Sequence, residues 1–500
     1  MSAALAAVVL PLLTGLLALL AGRPSGPRRW FVAGSAALQL ALALWLVLQT
    51  WRGDTFVVLM GGWSAQVGIA LVVDLLAAIM LALSTLTACA TILYGFAENS
   101  VRIEHPLRLP LVQFLVTGIQ LSFCTGDLFN LFVAFEVMLI SSYALITLEA
   151  DDWDIKQAYP YVAINLVGST LFICAAGFAY GLFGTLSFAE IALRAREMSD
   201  DPRVLVLALL LLVVFGIKAG LFPLYYWLPN SYPTLPIPVS ALYAGMLTKV
   251  GVYVLLRVFG TVLPADLHGV HQLLAWLAGA TMVLAVMGAV SRNFIRGILS
   301  FHILSQIGFM VLAIGFYTPL SFAAAIFYII HHIVVKASLF LIGGVAALLN
   351  RTDDLGRMGN LWKHTPWLGV LFLIQALSLA GLPPLSGFWG KYVILVVGVE
   401  QREFVLVTAA IVASVLTLFS MLKIWNGAFW NAAPAVPVHT DDRRWVGMTW
   451  VIGGLTAISL MIGVGAEAFL QLAQEAARRV LDHEAYAAAV FQHLGKGASP

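Results

Sequence analysis

Apolar runs of about 20 residues recur along this 500-residue sequence from one end to the other. A helix needs about 20 predominantly apolar residues to cross the hydrocarbon core of a bilayer. Only 10% of the residues are charged, whereas soluble domains carry about 25%. The sequence therefore predicts an all-α polytopic membrane protein and excludes a soluble fold.

The apolar runs predict about fourteen transmembrane helices. Most loop lysines and arginines fall in the odd-numbered loops, which predicts that these loops are cytoplasmic and that both termini lie on the outer side. Beyond the last span, residues 468–493 have the apolar spacing of an amphipathic helix, which we expect along the outer membrane surface. The predicted spans are residues 3–21, 30–50, 72–95, 109–126, 128–148, 160–183, 204–222, 238–260, 270–290, 297–315, 321–349, 367–397, 404–428 and 446–468.

The predicted seventh and twelfth spans each contain a proline-bearing interruption. Residues 219–224 read AGLFPL and residues 380–385 read AGLPPL. Proline cannot continue the helical hydrogen-bond ladder, and freed backbone groups are tolerated in a membrane only against protein or a water-filled cavity. Interrupted helices at corresponding positions of two halves indicate a transport site between internal repeats.

Several ionisable side chains fall inside the predicted spans. A charge at the centre of a membrane helix costs at least about 2.5 kcal/mol, so such residues mark ion or proton pathways by default. A desolvated lysine readily changes its protonation state, and neutral and charged histidine interconvert near neutral pH. The sequence therefore predicts a proton pathway. Its candidate residues are Glu136, Lys218, Lys249, His332, Lys336 and Lys391, with His331 and His302 as secondary candidates.

The stretch HHIVVK places three of these candidates on one helix. His332 and Lys336 are four residues apart and share a helical face, whereas His331 points about a quarter turn away. The residues alone leave other interpretations open. Glu136 and Lys218 also suit a structural ion pair, and His302 also suits a hydrogen-bonded packing residue. The breaks would also suit a small-molecule transporter, and the whole chain a membrane scaffold.

Sequence motifs for other chemistry are absent. The chain has no glycine-rich phosphate loop, no CxxC pair and no nucleophile elbow, and Cys89, Cys124 and Cys174 lie in separate apolar runs. The net charge of +2 gives no indication of nucleic-acid binding. We therefore expect no enzyme activity, redox centre, cofactor, metal or nucleic-acid partner.

Several runs resemble the antiporter-type subunits shared by Mrp cation/proton antiporters and respiratory complex I. They include GDLFNLFVAFEVMLISSYALITL, KAGLFPLYYWLPNSYPTLPIPVSALYAGMLTKVGVYVLLR, LSQIGFM, HHIVVKASLFLIGG and GLPPLSGFWGK. The resemblance extends over roughly residues 70 to 430. The run LPNSYPTLPIPVSALYAGMLTKVGVY and the chain length favour the D-type Mrp subunit over the larger A-type subunit.

The resemblance implies fourteen helices arranged as two inverted five-helix repeats, with the seventh and twelfth helices broken. It divides the chain into a three-helix segment (1–108), an antiporter-like core (109–430, repeats about 109–260 and 270–428) and a last helix with its tail (431–500). It also implies individual roles. Glu136 corresponds to the fifth-helix glutamate that pairs with Lys218, Lys249 to the central lysine of the eighth helix, and Lys391 to the terminal residue of the twelfth. His332 and Lys336 correspond to the histidine–lysine step of the eleventh helix.

The function implied by the resemblance is proton translocation within a multisubunit Na+/H+ antiporter of the bacterial cell (inner) membrane. The implied partners are Mrp subunits of A, B, C, E, F and G type, and the transported ions are protons and Na+. The alternative is a proton-pumping subunit of a complex I-like or membrane-bound hydrogenase complex.

Overall fold

Almost all of the chain is helical in the computed structural model, which describes residues 2–63, 68–265, 267, 269–431 and 438–492. The first half of these residues forms ten helices. They are α1 (Ala3–Leu20), α2 (Gly26–Trp51), α3 (Leu75–Glu98), α4 (Arg108–Cys124), α5 (Leu128–Thr147), α6 (Asp152–Phe183), α7 (Phe188–Glu197), α8 (Pro202–Ala219), α9 (Leu228–Ser231) and α10 (Ile237–Arg257).

The second half of the described residues forms ten further helices. Wider π-helical turns extend α10 over Val258–Val262 and α17 over Trp425–Trp430. The ten helices are α11 (Val270–Ser291), α12 (Ile295–Gly315), α13 (Pro319–Asn350), α14 (Leu361–His364), α15 (Pro366–Ala380), α16 (Ser386–Glu400), α17 (Phe404–Ile424), α18 (Arg444–Val464), α19 (Ala466–Leu481) and α20 (His483–Gln492).

Twelve of the helices are long and apolar enough to cross a membrane. Two more, α4 and α15, are apolar but shorter. The prediction of a helical, multi-pass membrane protein is confirmed. Each predicted span falls on one of these helices, except that the twelfth is divided between α15 and α16.

One element departs from the predicted all-α class. Strands β1 (Phe56–Leu59) and β2 (Ala70–Val73) pair antiparallel between α2 and α3. Their sequences, FVVL and ALVV, are rich in the β-branched residues that favour strands. The predicted third span, residues 72–95, is wrong at its start, because Val72 and Val73 belong to β2 and helix α3 begins at Leu75. Four-residue strands are too short to show a clear alternation of apolar and polar positions in the sequence.

The centre of the molecule is formed by α10, α12 and α13, which are buried along nearly their whole length. The 32-residue helix α13 contacts α3, α10, α12, α15, α16, α18 and α19. A capping box starts α13. The Thr318 hydroxyl accepts a hydrogen bond from the Ser321 amide at 3.0 Å, and the Ser321 hydroxyl accepts one from the Thr318 amide at 2.9 Å. Residues on α13 therefore lie against seven other helices of the bundle.

At both predicted interruptions the preceding helix ends in the same way. Helix α8 ends at Ala219 and α15 ends at Ala380, and the next residues, Gly220 and Gly381, have φ values of 81° and 92°. Glycine adopts this left-handed conformation without steric cost. The following stretch differs between the two breaks. After Gly220 come turns and the four-residue α9, whereas after Gly381 the chain soon resumes as the 15-residue α16.

The C-terminal helices α19 and α20 pack on the end of the bundle. The Thr261 hydroxyl donates a hydrogen bond to the Val480 carbonyl at 2.7 Å, and the Arg479 guanidinium donates one to the Thr50 carbonyl at 2.6 Å. Hydrogen bonds from Arg478, together with those from Arg479, lower the pKa of Glu475 to about 2. The tail is amphipathic, as predicted, but its apolar face packs against the chain's own helices. Residues 432–437 and 493–500 of the predicted tail segment lie outside the described part of the chain.

Candidate functional site

The ionisable residues singled out in the sequence lie on six helices. Glu136 is on α5, Lys218 on α8, Lys249 on α10 and Lys391 on α16. Their side chains are buried, except that of Glu136, which is half-buried. The remaining candidates are also buried: His302 is on α12, and His331, His332 and Lys336 are on α13.

Glu136 and Lys218 are connected through the hydroxyl group of Ser169 on α6. The hydroxyl donates a hydrogen bond to Glu136 Oε1 at 2.5 Å and accepts one from Lys218 Nζ at 3.1 Å. Lys218 Nζ also donates to the Asn165 carbonyl at 3.1 Å. The predicted pair is therefore present as a three-residue bridge. Gly168 lets α6 approach, because a Cβ there would lie 3.1 Å from Ile217.

Lys249 lies in the middle of α10, next to the first break. Its ammonium group donates a hydrogen bond to the Ala244 carbonyl of its own helix. A Cβ on Gly251 would lie 2.5 Å from the Ala219 backbone nitrogen. The end of α8 therefore packs directly on α10, two residues beyond Lys249.

His332 and Lys336 lie on α13 where it packs against α10, the helix of Lys249. A Cβ on Gly245, four residues before Lys249, would lie 3.8 Å from the side chain of Ala337, the residue after Lys336. Among the described residues, neither the His332 ring nitrogens nor Lys336 Nζ has a hydrogen-bond partner. Burying an ionisable group without such a partner is costly, and costly groups of this kind concentrate at functional sites. The structure thus brings together the two residues that the four-residue spacing paired.

His331 faces the second break. Its Nδ1 atom lies 2.7 Å from the hydroxyl of Ser386, the first residue of α16. The Ser386 hydroxyl lies 2.8 Å from that of Ser378 and 3.4 Å from that of Ser459. His331 Nε2 has no partner among the described residues. His331 is thus the one α13 histidine with a side-chain hydrogen bond, a contact that the sequence did not indicate.

Lys391, on α16, reaches back across the second break to the end of α15. Its Nζ atom donates hydrogen bonds to the carbonyls of Leu379 at 3.0 Å and Ala380 at 3.1 Å. These carbonyls belong to the last turn of α15, where the helical ladder has no further donors. Lys391 Nζ also lies 4.7 Å from the centre of the Phe309 ring. The lysine therefore binds backbone groups that the break leaves free.

His302 lies on α12, which packs against both α13 and α16, and its side chain is fully buried. Its two ring nitrogens have no hydrogen-bond partner in the part of the chain that the structure describes. The structure does not show the hydrogen bonds of an ordinary packing histidine here.

Sequence reasoning missed two kinds of residue at and near the site. The Ser169 hydroxyl connects Glu136 with Lys218 and the Ser386 hydroxyl contacts His331, and the spacing of Asn165 and Ser169 on one face of α6 was an available signal. Arg257, inside the predicted span 238–260, was also not among the candidates. Arg257 is in the last turn of α10 and forms a buried bidentate ion pair with Asp74, with N–O distances of 2.7 and 2.8 Å.

Across the described ranges, no three histidine, cysteine, aspartate or glutamate side chains gather in a way that could hold a metal ion. The arrangement is instead a row of separate ionisable groups, since α8 packs on α10, α10 on α13 and α13 on α16. The Ser169 hydroxyl connects Glu136 with Lys218. Lysine and histidine side chains can each bind and release a proton, so such a row suits stepwise proton transfer.

Together the fold and the site define a class: multi-pass membrane proteins whose helical core holds a row of buried ionisable side chains. Residues 125–417 match the family described as NADH:quinone oxidoreductase/Mrp antiporter, transmembrane. This match covers more than half of the chain. The chain belongs to this family.

Individual relatives support the assignment. The chain is 38% identical to the D-type subunit of the Na+/H+ antiporter from Alkalihalophilus pseudofirmus, over 97% of this chain and 98% of the relative. Its fold is similar to a chain of the Mrp complex from Dietzia sp., with a TM-score of 0.89, 29% identity, and coverage of 98% of this chain and 100% of that one. It also shares the fold of a chain in an archaeal membrane-bound sulfane sulfur reductase, with a TM-score of 0.90, 23% identity, and coverage of 97% and 99%.

Proposed function

We propose that this chain is a proton-translocating subunit of a multisubunit Na+/H+ antiporter complex. The observation that carries the proposal is the row of ionisable groups that runs from the half-buried Glu136 through buried lysines and histidines to Lys391. Similarity to a D-type antiporter subunit over 97% of the chain supports the antiporter class. Proton transfer needs groups that change protonation state at close range, and lysine and histidine in a desolvated core have this property.

The first part of the pathway is the bridge from Glu136 to Lys218. An ionised Glu136 stabilises a protonated Lys218 through the Ser169 hydroxyl. When Glu136 is neutralised, the burial of Lys218 favours release of its proton towards the interior. The bridge would thus act as a gate, because the proton on Lys218 is retained or released according to the charge on Glu136.

The second part runs from Lys249 through His332 and Lys336 to Lys391. Helix α13 packs against α10, which holds Lys249, against α12, which holds His302, and against α16, which holds Lys391. A proton that arrives at one member favours departure of the proton on the next. We include His302 in the pathway as the step between α13 and the second break.

Our proposal for the topology retains fourteen spans in two inverted five-helix repeats. It counts α4 as the fourth span and α15 with α16 as the twelfth. The matching geometry at Gly220 and Gly381 supports two related halves. The segments 1–108, 109–430 and 431–500, and the repeats at about 109–260 and 270–428, follow from this arrangement. Both termini would lie on the outer side of a bacterial inner membrane.

The proposed partners are Mrp subunits of A, B, C, E, F and G type. The second candidate function is a proton-pumping subunit of a complex I-like or hydrogenase complex. The fold shared with the sulfane sulfur reductase chain favours it, as does the family description, which includes NADH:quinone oxidoreductase. Purification of the complex from the native membrane separates the two, since small antiporter subunits or redox subunits would accompany the chain.

A small-molecule transporter fits the breaks less well. A Cβ on Gly220 would lie 2.8 Å from Leu304, and one on Gly381 would lie 2.9 Å from Lys391. The Leu304 and Lys391 side chains therefore pack directly against the two glycines. A cavity of about 310 Å³ lies beside the first break, but its lining, which includes Leu221, Phe222 and Pro223, is apolar and offers no charged side chain to hold a substrate. This packing leaves proton transfer between the side chains as the chemistry that the site supports best.

Everted vesicles that contain the intact complex test the proposal. Sodium-dependent collapse of a pH gradient is measured for Lys218→Ala and Glu136→Gln, and the rates are expressed per assembled complex. We expect both variants to lose most antiport while they assemble normally. Full antiport in either variant would contradict the gating role of the bridge.

A further inference from the structure

A group of buried serines surrounds the break between α15 and α16. The Ser386 hydroxyl is its centre and lies within hydrogen-bond distance of His331 Nδ1 and of the Ser378 and Ser459 hydroxyls. Ser378 is on α15 and Ser459 on α18, so the group joins three helices to α13. We call these three serines the serine hub.

The hub is tightly built. A Cβ on Gly387 would lie 1.9 Å from the Ser378 carbonyl oxygen and 2.9 Å from the His331 ring. A Cβ on Gly463 would lie 2.7 Å from the Ser386 backbone nitrogen. Glycine at both positions therefore allows α13 and α18 to approach the start of α16 closely. The distances between the hydroxyls follow from this backbone contact.

A second polar pair continues from the hub along α15 and α18. Gln375 precedes Ser378 by three residues and Thr456 precedes Ser459 by three, so each lies on the same helical face as its serine. The Gln375 amide nitrogen donates a hydrogen bond to the Thr456 hydroxyl at 3.1 Å. Both side chains are buried. Ser378 with Ser459, and Gln375 with Thr456, form a polar seam between α15 and α18. The seam extends towards the N-terminal ends of these two helices, which the distribution of loop lysines and arginines predicts to be cytoplasmic.

We propose that His331 and the serine hub form a lateral proton branch that connects the lysine–histidine row with the seam between α15 and α18. The branch rests on the proposed function and adds a second route at the second break. His331 suits the junction because its two ring nitrogens have different surroundings. Nδ1 contacts Ser386, whereas Nε2 has no partner among the described residues.

Proton transfer along the branch changes only N–H and O–H bonds. A proton binds at His331 Nε2, and the proton on Nδ1 passes to Ser386 Oγ. Ser386 then passes its own hydroxyl proton to Ser378 or Ser459, and that serine releases its own hydroxyl proton into the seam, where water accepts it. Each hydroxyl both accepts and donates one proton and ends neutral. Rotation of the hydroxyls, and return of His331 to the tautomer with its proton on Nδ1, restore the starting state.

The alternative role of the hub is structural, because hydroxyls between membrane helices also hold them together. The two roles predict different results. Loss of a structural hydrogen bond lowers the thermal stability or amount of the complex. Loss of a proton branch lowers the maximal antiport rate per assembled complex and leaves the apparent KM for Na+ unchanged.

The test compares Ser386→Ala, Ser459→Ala and His331→Gln in everted vesicles that contain the intact complex. We expect Ser386→Ala to lower the maximal rate about tenfold, the factor that corresponds to one lost hydrogen bond of ordinary strength. Ser420→Ala is the matched control, because this buried hydroxyl donates only to the Leu416 carbonyl of its own helix, at 2.8 Å. The control should keep the parental rate.

The double variant His331→Gln/Ser386→Ala gives the second readout. If the two residues act in one branch, the double variant should be no slower than the slower single variant. Multiplying losses would overturn the branch, and so would a parental rate in Ser386→Ala, because every transfer in the branch passes through this hydroxyl. Lys336→Met separates this result from the proposed function. An inactive Lys336→Met with a normal Ser386→Ala refutes only the branch, whereas a fully active Lys336→Met refutes the pathway itself.

Discussion

Glu136 and Lys218 are connected through one hydroxyl group and not by direct contact. Ser169 donates to the carboxylate at 2.5 Å and accepts from the ammonium group at 3.1 Å. A hydroxyl in this position both transmits the charge of one partner to the other and offers a path for a proton. The coupling between the two charges therefore depends on a residue that has no charge.

Replacement of Ser169 by alanine should weaken this coupling without removing either charge. A hydrogen bond to a charged group contributes about 1.5–3 kcal/mol, so we expect antiport in Ser169→Ala to fall at least about tenfold. The loss should be smaller than in Lys218→Ala. The neighbouring Thr170→Ala is the control, because that hydroxyl donates to the Leu166 carbonyl of its own helix. Equal rates in Ser169→Ala and Thr170→Ala would show that the bridge has no role.

Lys391 should contribute to stability as well as to transport. Lys391→Met leaves the Leu379 and Ala380 carbonyls without their donor, and each unsatisfied buried group costs about 1–3 kcal/mol. We expect a lower melting temperature of the purified complex together with a loss of antiport. The exposed Lys363→Met should change neither. A Lys391→Met complex as stable as the parent would contradict the capping role.

The buried pair between Asp74 and Arg257 should respond differently to single and double replacement. Arg257→Leu leaves a buried carboxylate unpaired and should destabilise the protein by about 3–5 kcal/mol. Asp74→Asn in the same chain removes that charge and keeps a side-chain oxygen for the Ala77 amide, so the double variant should regain part of the loss. Thermal unfolding measures both. Arg203→Leu, in the exposed pair with Asp201, should have little effect.

The proposed orientation predicts which side of the membrane each loop faces. A cysteine introduced at the exposed Gln471 in α19 should react with a membrane-impermeant maleimide in intact cells. A cysteine at the exposed Lys363 in α14 should react only in everted vesicles. The parent, with Cys89, Cys124 and Cys174, gives the background. Labelling in the opposite sense would reverse the orientation.

The positions of the membrane helices could be predicted from the sequence because an apolar run of sufficient length has few other stable states in a bilayer. The charged residues of the site could be predicted for the same reason, since a lysine in such a run needs a function or a partner. The break at Gly381 was visible as a proline pattern. The division of that span into α15 and α16, in which Lys391 caps the end of α15, could not be predicted, because it depends on a contact across the break.

The uncharged residues of the site could not be recognised. A serine is common in membrane helices and costs little free energy to place there, so Ser169 and Ser386 have no sequence signal comparable to that of Lys218. His331 illustrates the same limit. Helical spacing showed that it faces away from His332, but only packing of α16 against α13 shows that it meets Ser386. Long-range contact between helices thus supplied what local patterns could not.

Lys249 provides the most direct test of the buried pathway, because its side chain lies at the centre of the bundle and its hydrogen bond goes to its own helix. The measurement is Na+-driven proton movement in proteoliposomes that contain the purified complex with Lys249→Met. Methionine keeps the length and removes the charge and the exchangeable proton. We predict a normally assembled complex with at least about a hundredfold slower proton movement, the lower range for loss of a positioned proton-transfer group. A parental rate of proton movement in Lys249→Met would contradict the account.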